Sequence, residues 1–174
     1  MSQQKSETIR LGRLRYRSPI GPIECLFDET ALVALDFERT APRTLALLAR
    51  NFGAIRIDAA RDRLAIKNAL DRYFAGELGA LDVLTVRRYG TAFQQKVWAA
   101  LRKIPAGRTT SYQALATRLR VPEAQRAVGA ANGANPISLV VPCHRVIGSD
   151  GTLVDYGGGI VRKRWLLRHE GAID

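Results

Sequence analysis

The sequence predicts an α/β chain of the α+β kind in two parts. Three observations carry this. Strand-like runs fill most of the first 57 residues, amphipathic helical repeats dominate after Gly90, and a glycine-flanked stretch at 77–90 separates the two. The expected division is residues 1–90, an N-terminal α/β domain with its linker, and residues 91–174, a C-terminal helical domain. A chain of 174 residues is long enough for two small units and buries enough surface to need no disulfides.

Ile9 to Arg17 is a basic, partly alternating run. Ser18-Pro-Ile-Gly-Pro22 is turn punctuation, and Ile23 to Phe27 and Leu32 to Phe37 follow closely, which predicts hairpins. Thr44 to Arg50 reads as a short helix. Asp62 to Ala75 reads as a longer one, because Ile66, Ala69, Leu70, Tyr73 and Phe74 share a face. Thr91-Ala-Phe-Gln94 is a capping box that opens a helix carrying Phe93, Val97, Trp98, Leu101 and Ile104. Thr110-Ser-Tyr-Gln113 repeats the pattern ahead of Leu115, Ala116 and Leu119. Pro122 suits the first turn of a third helix running to about Asn132. Two short helices joined by a tight turn form a helix-turn-helix candidate, although any αα-hairpin shares that signature.

Charge sharpens the reading. The net charge is +11, and residues 91–149 hold eight basic side chains against one acid, Glu123. A +7 excess in one segment suits a polyanion, nucleic acid before an acidic membrane. No apolar run reaches the roughly 20 residues of a membrane span. Met1 to Ser6 carry no apolar core, so no secretory signal and a reducing cytoplasm are expected. Two cysteines and two histidines placed far apart cannot assemble a four-ligand zinc site, so no metal is expected.

The third helix, Arg126-Ala-Val-Gly-Ala-Ala-Asn-Gly-Ala134, is nearly bare of large side chains, and each glycine costs about 1 kcal/mol of helix propensity against alanine. It either packs closely on another helix or lies against an outside surface such as a DNA groove, with Arg126 reaching into the groove or the base stack. Asn135-Pro136 ends it. Ile137 to Val141 reads as a short buried strand running into Cys143-His144. Successive strand side chains point to opposite faces, so a direct thiol–imidazole pair is not expected, though a water or a bend can link them.

Asn135-Pro-Ile-Ser-Leu-Val-Val-Pro-Cys-His-Arg-Val-Ile147 resembles the active-site segment of the O6-alkylguanine-DNA alkyltransferases, the methylated-DNA–protein-cysteine methyltransferases. Ser18-Pro-Ile-Gly-Pro22, Phe93-Gln-x-x-Val-Trp98, Ile104-Pro-x-Gly107, Ser111-Tyr-x-x-Leu-Ala116, Arg126-Ala-Val-Gly129, Tyr156-x-Gly-Gly159 and Lys163-x-x-Leu-Leu-x-x-Glu170 extend the likeness to the small bacterial two-domain form. It is good over 91–171 and patchy before.

The resemblance implies an RNase H-like N-terminal domain with an antiparallel sheet and a winged-helix-like C-terminal domain. It implies binding of double-stranded DNA carrying O6-alkylguanine through the minor groove, base flipping, and irreversible transfer of the alkyl group, from O4-alkylthymine as well, to Cys143. By the same resemblance His144 takes the thiol proton through a water, Glu170 orients His144, Asn135 braces the turn, and Tyr112 donates to the base. Val146, Tyr156, Gly157 and Ser138 would line the base pocket; Arg126, Ala127, Gly129 and Gln113 would meet DNA. Arg145 is left between an ion pair with Asp150 or Asp155 and a DNA contact. The chain is expected to act as a monomer in the cytoplasm on the nucleoid, without a cofactor. A non-catalytic lesion-recognition protein is the alternative; it would need neither Cys143 nor Glu170.

Overall fold

The computed structural model describes residues 8–37 and 41–174. The reading of Met1 to Ser6 falls outside them. β1 (Ile9–Ser18), β2 (Gly21–Phe27) and β3 (Leu32–Phe37) form an antiparallel meander. The turn between β1 and β2 uses Gly21 at φ 110°, and Ser18 Oγ bonds back to the Gly21 carbonyl. β4 (Ile55–Ala59), which the sequence reading did not single out, adds parallel to β1, so the sheet runs β3-β2-β1-β4 and is antiparallel except at that edge.

α1 (Ala41–Phe52) is longer than expected. α2 (Ile66–Phe74) begins four residues later than expected. Asp62 does not enter the helix. Its carboxylate accepts from the backbone N–H groups of Leu64, Ile66 and Lys67, which are donors the helix start would otherwise leave open.

The stretch at 77–90 is not a free tether. Ala80–Val83 form a 3₁₀ turn, and Leu81, Leu84 and Tyr89 are buried. Thr85 and Arg87 exchange backbone hydrogen bonds with Leu32 at the open edge of β3. Further along that edge, Leu35 N donates to the Pro136 carbonyl at 3.0 Å and Ser138 N to the Leu35 carbonyl at 2.7 Å. An unpaired strand edge is a template for unwanted pairing. Here both the connection and the segment leading to Cys143 cover it.

α3 (Ala92–Leu101) has the expected capping box, with Thr91 and Gln94 bonded reciprocally. α4 (Tyr112–Arg118) is capped by Ser111, whose hydroxyl accepts from Ala114 N, rather than by Thr110. Thr110 and Ser111 are instead β5 (Thr110–Ser111), paired parallel with β6 (Val146–Ile147). Residues 122–124 form a 3₁₀ turn, so α5 is Gln125–Gly133, and α6 is Ile160–His169. α4 and α5 are the helix-turn-helix. The turn between them passes through Arg120 at φ 62°, and Gln113 Nε2 donates to the Pro122 carbonyl across it.

The two halves share one core. Tyr73 and Phe74 of α2 pack on Trp165 and His169 of α6, with the Trp165 and His169 rings stacked 4.9 Å apart. Arg162 of α6 donates to the Ile20 carbonyl in the β1–β2 turn and lies over the Phe37 ring.

The Thr91 cap gives a direct test of how local signals contribute. Thr91→Ala removes the acceptor for Gln94 N, and a lost cap costs about 1 kcal/mol. Thermal denaturation should show a fall of roughly 2–4 °C for a chain of this size.

Candidate active site

Asn135 closes the turn that carries the cysteine. Its Nδ2 donates to the Val141 carbonyl at 2.7 Å, and its Oδ1 accepts from Ile137 N at 3.0 Å. The expected strand over Ile137 to Val141 does not form. Only the bridge to Leu35 is strand-like, after which the chain folds through Leu139 at φ 68°. With its outward donors answered by Asn135 and β3, the segment needs no ladder of its own. Cys143–Arg145 is then one turn of 3₁₀ helix, so the opposite-face argument for a strand does not apply.

Cys143 is 6% exposed, His144 is fully buried and Glu170 is 4% exposed. His144 Nε2 faces Glu170 Oε1 at 2.9 Å. Since an ionised carboxylate only accepts, the imidazole places its proton on Nε2 and leaves Nδ1 as an acceptor. Nδ1 is buried with no hydrogen-bond partner among the described residues. A base poised toward a neighbouring thiol requires that tautomer.

Glu170 is heavily engaged. Arg145 donates from Nε to Oε2 at 2.8 Å and from Nη2 to Oε1 at 2.9 Å, and Tyr73 Oη donates to Oε1 at 2.7 Å. The expectation of Asp150 or Asp155 as the partner of Arg145 is therefore corrected. Arg145 is buried, bidentate on Glu170, and its Nη1 donates to the Ile104 carbonyl at 2.6 Å. It is not a DNA-facing charge, so the outward basic excess of residues 91–149 is +6 rather than +7.

Burial alone would push the Glu170 carboxyl up. Hydrogen bonds from His144 and Arg145 and their charges outweigh it, and the group is held well below the usual carboxylate range. Burial lowers His144, and Glu170 opposes that only in part, so the resting imidazole is neutral. Burial raises the Cys143 thiol, against a lowering hydrogen bond from Asn135 and the charge of Lys163. The resting pair is thus thiol and neutral imidazole. The other cysteine, Cys25, is fully buried in β2, and burial keeps it a protonated core thiol.

Lys163 carries no role in the sequence reading, yet it is wholly buried beside the site. Its Nζ donates to the carbonyls of Val146 and Val154, both at 2.6 Å, and burial lowers it to about 8. Ser138 is buried, with its hydroxyl 3.4 Å from Asp36 of β3.

Tyr112 and Tyr156 both lie close enough to Cys143 for its charge to help raise their phenols, after burial as the larger cause; Tyr112 reaches about 12. Tyr112, Asn132, Tyr156 and Gly157 line a cavity of about 260 Å³ whose rim is completed by Arg43 of α1. It lies beside a cleft of about 600 Å³ lined by Tyr112, Arg126, Gly129, Ala130, Val154 and Asp155. Glycine is tightly required at 158, where an added Cβ would sit 2.6 Å from Tyr156 and 2.8 Å from Phe37.

On α5, Arg126 and Ala127 are exposed, while Val128, Ala131 and Asn132 face the core. A Cβ at Gly133 would meet nothing within 4 Å, and one at Gly129 only the Tyr112 ring at 3.8 Å. Packing inside the molecule therefore does not demand these two glycines, although the opposite face of α5 packs on α3, where Trp98 Nε1 donates to the Ala131 carbonyl at 2.8 Å. Gln113 is exposed on α4.

Tyr73 and Arg43 lack any local signal. Tyr73 sits at an ordinary core position of an amphipathic helix, 97 residues from its partner. Among the described residues, no group of three or more His, Cys, Asp or Glu is placed to hold a metal ion, and no helix is long and apolar enough to cross a membrane.

Comparison with known proteins agrees over nearly the whole chain. Residues 14–87 match the family described as 6-O-methylguanine DNA methyltransferase, ribonuclease-like domain, and residues 92–172 match its DNA binding domain. A methylated-DNA–protein-cysteine methyltransferase of Salmonella typhimurium is 48% identical over 167 residues, covering 94% of this chain and 97% of its own length. One from Mycobacterium tuberculosis is 46% identical over 163 residues, covering 90% and 92%. The crystal structure of Mycobacterium tuberculosis OGT in complex with DNA superposes with a TM-score of 0.78 at 41% identity, covering 94% of each chain. The sheet with its helical partner, the buried Cys143–His144–Glu170 cluster and these likenesses together place the chain in the methylated-DNA–protein-cysteine methyltransferase family.

Proposed function

We propose that this protein repairs DNA directly, moving the alkyl group of O6-alkylguanine, and of O4-alkylthymine, onto Cys143 in a single irreversible turnover. The observation that carries the reading is His144, held by Glu170 through Nε2 with its buried Nδ1 left as an acceptor, in the same 3₁₀ turn as Cys143. The names of the relatives and the solved DNA complex of the mycobacterial homologue support it. The division of labour is residues 1–90 as scaffold and 91–174 as the DNA-binding and transfer unit, acting as a monomer on duplex DNA in the cytoplasm.

An O6-alkyl ether is a poor electrophile, so the nucleophile must be a thiolate. His144 Nδ1 takes the Cys143 proton through a water, and Glu170 stabilises the imidazolium. As the S–C bond forms, the O6–C bond breaks and its electron pair passes to the guanine. Tyr112, whose phenol stays protonated to about 12, donates a hydrogen bond to the base N3 and limits the anion. Val146, Tyr156, Gly157 and Ser138 shape the pocket around the extrahelical base. Ala127, Gly129 and Gln113 meet the duplex, and the small side chains of α5 let the helix lie close to the minor groove. Arg126 fills the vacated stack with its planar cation.

The alkyl thioether has no good leaving group, so each chain removes one lesion. Incubation with excess O6-methylguanine duplex should add one methyl group, mapped by peptide mass to Cys143 and not to Cys25. The added methyl enters a packed pocket, where overpacking costs about 1–3 kcal/mol, so the spent protein should melt several degrees lower. Several lesions repaired per chain would contradict the mechanism, and a protein that binds the lesion with no mass gain would be a recognition module.

Arg126→Ala should slow transfer from duplex DNA at least tenfold while leaving transfer from the free modified base within about twofold, since only the duplex must be opened. Equal losses would remove the stacking role.

A further inference from the structure

The helix-turn-helix and the cysteine both belong to the C-terminal half, yet the Glu170 carboxylate is completed from the other half of the chain. α2 lies against α6 through the Tyr73, Phe74, Trp165 and His169 rings, and His169 Nε2 lies 2.8 Å from the Tyr73 carbonyl. This packing delivers the Tyr73 hydroxyl to Glu170 Oε1 at 2.7 Å, on the same oxygen that faces His144 Nε2 at 2.9 Å. We propose that Tyr73 is a positioning residue of the alkyl-transfer centre: its hydrogen bond fixes Glu170 Oε1 and sets how much of that oxygen's charge is left for His144. The inference rests on the relay described above and adds to it a control supplied by the N-terminal half.

The sign follows from competition at one oxygen. Arg145 keeps the carboxylate ionised through both oxygens whether or not Tyr73 is present. The phenol draws charge from Oε1, which weakens its hold on an imidazolium at His144. Removing the phenol leaves Oε1 a stronger acceptor, favours the imidazolium, and so favours the thiolate of Cys143. The remaining charged and titratable neighbours do not change. Asp36 and Lys163 act on Cys143 with opposite signs, and Tyr112 and Tyr156 stand beside it as neutral phenols. Asp155 acts on Tyr112 and Lys163, and His169 bonds the Tyr73 backbone.

The test is Tyr73→Phe, which keeps the ring and deletes one hydroxyl. The full-length protein is treated with iodoacetamide across a pH series, and modification of Cys143 is followed by peptide mass. The wild-type profile gives the reference midpoint. In Tyr73→Phe it should fall by about 0.5 pH unit, the equivalent of one modest hydrogen bond. Phe74→Leu loosens the same helix contact without touching Glu170, so it should lower the melting temperature and leave the midpoint in place. An unmoved midpoint in Tyr73→Phe, or an equal shift in Phe74→Leu, overturns the proposal, because either result makes Tyr73 a packing residue. The thiol profile needs no DNA. Failure of methyl transfer from an O6-methylguanine duplex by the wild type would therefore count against the repair reading alone.

Discussion

A single buried carboxylate organises this molecule. Glu170 receives hydrogen bonds from an imidazole, a guanidinium and a phenol that come from two different halves of the chain. An ion pair out of water repays its desolvation only when geometry is good and the remaining lone pairs are satisfied. Here they are, by His144 and Arg145 from the cysteine turn and by Tyr73 from α2. The arrangement holds His144 in one tautomer, with its buried Nδ1 left as an acceptor.

The rest of the fold serves to place those partners. The Cys143 turn would carry unpaired backbone groups into the core without the Asn135 side chain and the edge of β3. The same strand edge receives the connection at residues 85–87, so one β-strand anchors both the covalent link between the halves and the reactive turn. The sheet is accordingly part of the site's foundation although the reactive thiol lies outside it. Lys163, buried among carbonyls, ties the strand after the cysteine to the loop before α6.

The outward face of the helix-turn-helix has a different logic. Among the described residues, nothing crowds a Cβ at Gly133, and Gly129 has only the Tyr112 ring in ordinary contact. Their small size leaves a smooth surface beside a cleft carrying Arg126. Stability is given up there, since glycine is a poor helix former.

By itself the sequence determined the strand meander, the capping box at Thr91 and the two short helices, because each is written in turns, caps and periodicity over a few residues. The peptide carrying Asn135, Cys143 and His144, and Glu170 after the last helix, were legible only through their resemblance to the motifs of a known family. Tertiary structure alone decided who shares Glu170. Arg145 could be assigned a nearby aspartate from sequence, but only folding brings α6 beneath the cysteine turn. Tyr73 read as an ordinary core aromatic, because its hydroxyl acquires a partner only when a helix 97 residues away docks on it. The strand expected over Ile137 to Val141 failed for the same reason. An apolar run predicts burial, whereas its backbone geometry is set by which donors and acceptors it finds, and here they lie on Asn135 and on β3.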